Sequence, residues 1–238
     1  MDLQSQLRSS ILTASLPPPS SSFLSTLIQA RNPPLPLPSL LATARSRLLA
    51  CDLTSNNIIH ASIAALPADL ANPTVKELSL PRDAHVQVLD VENLSVSRWN
   101  QVEEIEAVER GERTRGREVI RIVEDSQDDA HQQPARETAG GAIPPAGKNA
   151  THKLVLQDCQ GQKVFALELR RVNSIGVGST MMGEKMLLKA GTIVARGVIM
   201  LTPDNCVLLG GKIDSWQKAW TDGRLARLKE STSAISSN

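Results

Sequence analysis

Residues 184–213 constrain the fold most, because they read as closely spaced antiparallel strands. Their apolar residues form four short segments, at 186–188, 192–194, 198–201 and 207–209. Turn signals separate these segments, with Gly191, Gly197 and Pro203 at the bends. Short strands with glycine at the bends favour a small closed barrel, because closure removes the exposed edges of a short antiparallel sheet.

The first part of the chain reads as short helices separated by prolines. Apolar residues recur at helical spacing in residues 3–12, 23–28 and 40–49, and prolines interrupt the pattern at 17–19 and 33–38. Ser20 is expected to cap the second helix, and a fourth short helix is expected between Ser55 and Pro67. The proline run at 33–38 is interpreted as a stiff connector rather than as an SH3 or WW ligand. Residues 1–68 are therefore predicted to form a helical bundle.

Two more segments supply strands before the meander. Residues 85–93 alternate at Val86 and Val88 and then change phase, which predicts a bulge in a long first strand. Residues 153–157 and 163–169 read as a hairpin with one buried face. That face is expected to carry Leu154, Leu156, Phe165, Leu167 and Leu169. The prediction is an α+β protein with a five-stranded antiparallel OB-fold barrel in residues 82–220 and a tail at 221–238.

A helix and an insertion are predicted between the first two strands. Residues 95–112 form an amphipathic pattern, with Trp99, Val102, Ile105 and Val108 on one side and glutamates on the other. Residues 110–150 are rich in charged residues, Gly, Gln, Pro and Ala, which is typical of a long mobile insertion.

Composition and motifs exclude several function classes. A net charge of +1, from 26 basic and 25 acidic residues, is unlike a protein that mainly neutralises phosphates. The three cysteines form no pair or CxxC, and the four histidines lack metal-ligand spacing. No phosphate loop or nucleophile elbow is found, so no enzyme, cofactor or metal site is expected. No signal sequence and no run of about 18 apolar residues is seen, which predicts a soluble intracellular protein.

Three segments carry a family resemblance: VLDVENLSVSRWNQVE at 88–103, KAGTIVARGVIMLTPDNCVLLGGKID at 189–214 and LARL at 225–228. Together they resemble the RecQ-mediated genome instability protein 1 family, in its short fungal form. The resemblance implies a non-catalytic subunit that binds topoisomerase III and a RecQ-family helicase and promotes double Holliday junction dissolution. It also implies a nuclear location, and an insertion that modulates the opening of the topoisomerase gate.

Two binding features leave alternatives open. Val119, Ile120, Ile122 and Val123 precede acidic residues, which is the make-up of a peptide that adds a strand to a partner's sheet, as SUMO-binding motifs do. Alternatively, this run packs on the barrel or on the topoisomerase. Trp216 and Trp220 lie four residues apart and are expected on a terminal helix that covers the barrel, rather than stacked on bases. A single-stranded DNA-binding OB-fold protein, or weak DNA binding, is the alternative function.

Overall fold

Three helices form the first unit of the computed structural model, which describes residues 2–55, 57–60, 63, 65–111 and 149–236. They are α1 (Leu3–Thr13), α2 (Ser21–Gln29) and α3 (Leu37–Ala50). The Phe23 N–H donates to Ser20 Oγ over 3.1 Å, which confirms Ser20 as the cap of α2. The helices enclose a small core of their own, which includes Leu7, Leu24 and Leu48.

The predicted fourth helix is wrong. In the described part of residues 55–67, Ile59 pairs with Pro19 in an isolated β-bridge, and the His60 N–H donates to the Pro18 carbonyl over 2.9 Å. The Ile59 N–H donates to the Ser55 carbonyl over 3.3 Å, so a single turn precedes the bridge, and the Ile59 side chain lies in the core of the helical unit. The described residues of this segment therefore form a turn and a bridge in place of a helix.

One mixed sheet holds eight strands, in the order β1-β6-β7-β4-β3-β2-β5-β8. The strands are β1 (Glu77–Ser79), β2 (Ala84–Asn93), β3 (His152–Gln157), β4 (Lys163–Glu168), β5 (Lys185–Leu188), β6 (Ile193–Ala195), β7 (Val198–Leu201) and β8 (Cys206–Gly210). All neighbours are antiparallel except β4 and β7, which are parallel. The prediction of five antiparallel strands is therefore wrong in strand number and in direction.

The higher strand number has a local cause. Residues 185–195 hold β5 and β6, and residues 198–210 hold β7 and β8. The two segments pair with each other twice, as β5 with β8 and as β6 with β7, because a bend interrupts each of them. Gly191, with φ +81°, lies in the first break, and residues 202–205 form the second. The Lys189 N–H donates to the Asn205 carbonyl over 2.9 Å and joins the two breaks. Strand β1 is an additional strand at the edge of the sheet, next to β6, and the sequence did not predict it.

The bulge predicted in the first strand is confirmed. Strand β2 pairs with β3 on one side and β5 on the other, and its register with β3 shifts between Val88 and Asp90. The extra residue, Leu89, lets Val86, Val88 and Val91 all face the core despite the change of phase.

The hairpin of β3 and β4 corrects the prediction of its buried face. Leu154 and Leu156 of β3 are buried as expected, but Phe165 of β4 is 53% exposed. On β4 the inward residues are instead Val164 and Ala166.

The neighbouring strands explain why Ala166, and not Phe165, faces the core. Ala166 lies between Leu154 of β3 and Ile199 of β7, all three buried. A small side chain fits between two large ones, whereas a phenylalanine there would overpack the core. The predicted burial of Leu169 is also wrong, because its side chain is exposed, and Leu167 is only half-buried.

Two helices flank the sheet, α4 (Arg98–Glu109) and α5 (Asp214–Ser236), and they pack against each other. Helix α5 runs on past residue 220. Trp220 is buried, and its Nε1–H donates to Asp90 Oδ1 over 2.6 Å, so α5 covers the barrel as expected. On α4 the predicted apolar side is only partly buried, because Trp99 is 66% exposed.

The helical unit contacts the sheet through buried polar groups. Gln87 on β2 accepts the Leu53 N–H over 3.0 Å and donates to Asp52 Oδ1 over 2.7 Å. Lys185 on β5 donates to the Leu49 carbonyl, at the end of α3, over 3.3 Å. Side chains of the sheet therefore cap the end of the helical unit.

No helix in the described ranges is both long and apolar enough to cross a lipid bilayer.

Candidate docking surface

Apolar side chains lie in register on the solvent side of three neighbouring strands. Val155 on β3 pairs with Phe165 on β4, which pairs with Val198 on β7, and Leu167 on β4 pairs with Met200 on β7. None of these five side chains is fully buried, whereas the residues between them on β4 and β7 are. We call these five residues the outer-face patch.

Both faces are apolar over residues 164–167 of β4 and 198–201 of β7, which is unusual for strands of a sheet with one face in water. Such strands ordinarily alternate apolar and polar residues. A contiguous apolar surface on a folded protein is typical of a binding site for another protein. The outer-face patch is therefore the candidate functional site.

Charged groups at the border of the patch form ion pairs with one carboxylate. Lys153 Nζ lies 2.7 Å from Glu92 Oε2 and 5.7 Å from the centre of the Phe165 ring. Arg98 Nε lies 2.7 Å from Glu92 Oε1. Burial alone raises the pKa of Glu92, but the hydrogen bonds from Arg98 and Lys153 lower it below its ordinary value. Arg98 and Lys153 share one carboxylate, so this border keeps a net positive charge, and it is the apolar side chains rather than the charges that favour a protein partner.

A buried carboxylate fixes the strands that carry the patch. Glu168, at the end of β4, accepts the backbone N–H of His152 over 2.8 Å and lies 2.7 Å from His152 Nδ1. Its other oxygen accepts from Arg171 Nη1 over 2.7 Å and from the Val172 N–H over 2.9 Å. Burial alone raises the pKa of Glu168, but these bonds, led by that of His152, lower it. The network holds the start of β3 against the end of β4, so the patch is preorganised for binding.

The predicted site residues of the insertion are not among those that the structure describes. Val119, Ile120, Ile122 and Val123 lie outside the described residues, so their role stays a prediction. In the described part of the chain, no three His, Cys, Asp or Glu side chains are grouped so as to hold a metal ion.

Sequence reasoning missed the outer-face patch, although a signal was present. The runs VFAL at 164–167 and VIML at 198–201 are apolar in both phases. Continuous apolar strands indicate burial on both faces, and where the fold covers only one face, the other is left for a partner.

Comparisons with known proteins agree with this fold. Residues 66–224 match the family model described as RMI1, N-terminal OB-fold domain, and residues 12–55 match RMI1, N-terminal helical domain. The chain is 33% identical over 143 residues to RecQ-mediated genome instability protein 1 of Schizosaccharomyces pombe, which covers 59% of this chain and 60% of that protein. It is 31% identical over 161 residues to the protein of that name from Saccharomyces cerevisiae, which covers 60% of this chain and 65% of that protein.

The matched region thus spans less than two thirds of the length of each of these relatives. The OB-fold model alone covers more than half of this chain. The chain therefore belongs to the RMI1 family, as the resemblance of its strand segments predicted.

Proposed function

We propose that this chain is a non-catalytic scaffold in the RecQ pathway of genome stability. It binds topoisomerase III and a RecQ-family helicase and promotes double Holliday junction dissolution and decatenation. The names of the two relatives, which refer to RecQ-mediated genome instability, support the pathway. The outer-face patch carries the proposal, because an apolar face on rigid strands fits a protein partner better than a nucleic acid.

The residues that follow the insertion lie close to one end of the patch. Register pairs place Asn93 of β2 opposite His152 of β3, next to the Glu92–Lys153 pair that borders the patch. Helix α4 leaves from this end, and the Thr151 N–H donates to Ser95 Oγ over 2.9 Å. A topoisomerase bound on the patch would therefore meet the end of residues 110–150, where the chain enters β3. That segment modulates the gate by binding its open and closed states with different affinity.

The test uses purified topoisomerase III, the full chain and a variant in which a short Gly/Ser linker replaces residues 111–149. We expect the variant to keep binding and to change the rate of decatenation. If the intact chain fails to bind topoisomerase III but binds single-stranded DNA with a steep salt dependence, the scaffold proposal is wrong. The OB-fold single-stranded DNA-binding function then takes its place.

Val119, Ile120, Ile122 and Val123 are proposed as partner-binding residues in the insertion. Serine at all four positions should alter decatenation while topoisomerase binding is retained. Binding of purified SUMO by the intact chain, and its loss in this variant, would instead assign the segment to SUMO. An unchanged decatenation rate together with no SUMO binding would remove these residues from the proposal.

A nuclear location follows from the proposed partners, which act on chromosomal DNA. A fluorescent fusion of the full chain should therefore accumulate in the nucleus, and exclusion from the nucleus would contradict this part of the proposal.

A further inference from the structure

A second exposed surface lies where β2 leads into α4. The loop between them and the first turn of α4 present Leu94, Val96 and Trp99 to solvent, with exposed fractions of 47%, 37% and 66%. Together with Thr232 of α5 they line a shallow depression whose other walls include the Glu92–Arg98 ion pair. We call Leu94, Val96, Trp99 and the neighbouring Glu103 the Trp99 surface.

The backbone under the Trp99 surface is held rigidly. Gln101 is buried, and its Nε2 donates to the carbonyls of Asn93 and Val96 over 3.1 and 2.9 Å. The Ser97 hydroxyl accepts the Asn100 N–H over 3.1 Å and caps α4. The exposure of Trp99 is therefore built into an ordered loop and helix start. An aromatic side chain fixed in solvent is the kind of residue that contributes most to protein interfaces.

The exposed side of α4 beyond Trp99 is acidic, although Arg98 lies in the wall of the depression. Helix α4 contains four glutamates and one arginine, and Glu103 lies one turn after Trp99 on its exposed side. Lys229 and Arg110 pair with Glu106, at 2.5 and 3.5 Å, but Glu103 makes no ion pair with a described residue. Like charges repel a phosphate backbone and an anionic membrane, whereas a basic peptide is attracted.

We propose that the Trp99 surface binds a basic amphipathic segment of a partner protein. A large apolar residue of that segment enters the depression beside Trp99, and its lysines or arginines lie along the exposed side of α4 at Glu103. This surface differs from the outer-face patch in its acidic charge, and the proposal does not depend on the identity of the topoisomerase.

Two synthetic peptides of about 18 residues test the proposal, with leucines at the same helical positions and either lysines or glutamates on the polar face. Binding to the full chain is measured by fluorescence anisotropy. We expect saturable 1:1 binding of the lysine peptide. The glutamate peptide should bind at least about tenfold more weakly than the lysine peptide. Trp99→Ala should weaken lysine-peptide binding about tenfold or more, whereas Trp99→Phe should retain most of it.

Matched variants separate a specific site from general attraction. Glu103→Lys and Glu77→Lys change the net charge equally, and Glu77 is an exposed residue on β1, away from α4. Only Glu103→Lys should weaken binding severalfold, and Val207→Ala, at an exposed apolar residue on β8, should leave it unchanged. The proposal is overturned if the lysine peptide does not bind, if Trp99→Ala binds as tightly as the wild type, or if the two charge reversals weaken binding equally.

Discussion

At the scale of single residues, Lys185 shows how the sheet stabilises the end of a helix. Its side chain is fully buried, and its ammonium group donates to the carbonyl oxygens of Leu49 and Gly183. Burial lowers the pKa of Lys185 from 10.5 to about 8, although Cys51, Asp52 and Glu184 act in the opposite direction. The unfolded chain therefore binds more protons than the folded one between pH 8 and 10.5, and stability gains from Lys185 as the pH rises through this window.

Lys185→Met tests this prediction by chemical denaturation across pH 8 to 10.5. The free energy of unfolding of the wild type should rise relative to that of the variant, by at most about 3 kcal/mol, since one pKa unit corresponds to about 1.4 kcal/mol. Cys51 interacts with Lys185, so it is replaced by alanine in both proteins, whereas the other cysteines are present in both and cancel in the difference. A difference that stays constant with pH would show that Lys185 has an ordinary pKa.

Gly211 is a second residue on which the contact between the helices and the sheet depends. It has φ +90°, and a Cβ added to it would lie 2.3 Å from the Leu49 carbonyl oxygen. Gly211→Ala should therefore cost about 2–4 kcal/mol of stability, from backbone strain and displacement of α3.

Its neighbour Gly210 provides a matched control. Its φ is +86°, but an added Cβ would meet nothing within 4 Å, so Gly210→Ala should cost only the strain of about 1 kcal/mol. Thermal or denaturant unfolding measures both variants. Equal losses of stability would mean that the close approach to Leu49 has no energetic role.

At the scale of elements, two substitutions in strand β4 test which of its faces belongs to the core. Ala166→Leu should lose about 1–3 kcal/mol of stability, because the added volume overpacks the space between Leu154 and Ile199. Phe165→Ala, which truncates a half-exposed side chain, should cost less than about 1 kcal/mol. Denaturant unfolding compares the two, and a larger loss for Phe165→Ala would show that Phe165 belongs to the core.

Strand β4 also shows why sequence alone predicted the elements better than the candidate site. The glycine and proline bends of residues 184–213 marked β5 to β8, and the phase change in residues 85–93 marked the bulge of β2, because these signals are local. The buried face of β4 depends on Leu154 and Ile199, which lie on other strands, so residues 163–169 could not specify it. The same limit hid the outer-face patch. The bridge at Ile59 was missed because its hydrogen-bond partners lie near Pro19.

At the scale of the whole molecule, buried polar contacts attach the helical unit to the sheet. Gln87→Leu leaves the Leu53 N–H without its acceptor and removes one of the two donors to Asp52 Oδ1, so it should cost about 1–3 kcal/mol. Hydrogen exchange should become faster in α1 to α3, because the loss falls on the contact between the helices and the sheet.

Gln157→Leu is the control for this prediction, since the Gln157 side chain bonds to Gln87 and Gly161 within the sheet unit and does not reach the helices. Hydrogen exchange followed by mass spectrometry distinguishes the two variants. Equal protection of α1 to α3 in Gln87→Leu and in the wild type would mean that Gln87 does not hold the helical unit to the sheet.

The central claim is that the outer-face patch binds topoisomerase III, and its most direct test is the affinity of purified topoisomerase for Phe165→Ala. Val207→Ala is the control, because Val207 is also an exposed apolar residue but lies on β8, at the far end of the strand order. We predict that Phe165→Ala loses about 2 kcal/mol of binding free energy or more, as expected of a central aromatic contact, and that Val207→Ala binds as the wild type does. Equal affinity of Phe165→Ala and the wild type would contradict the account.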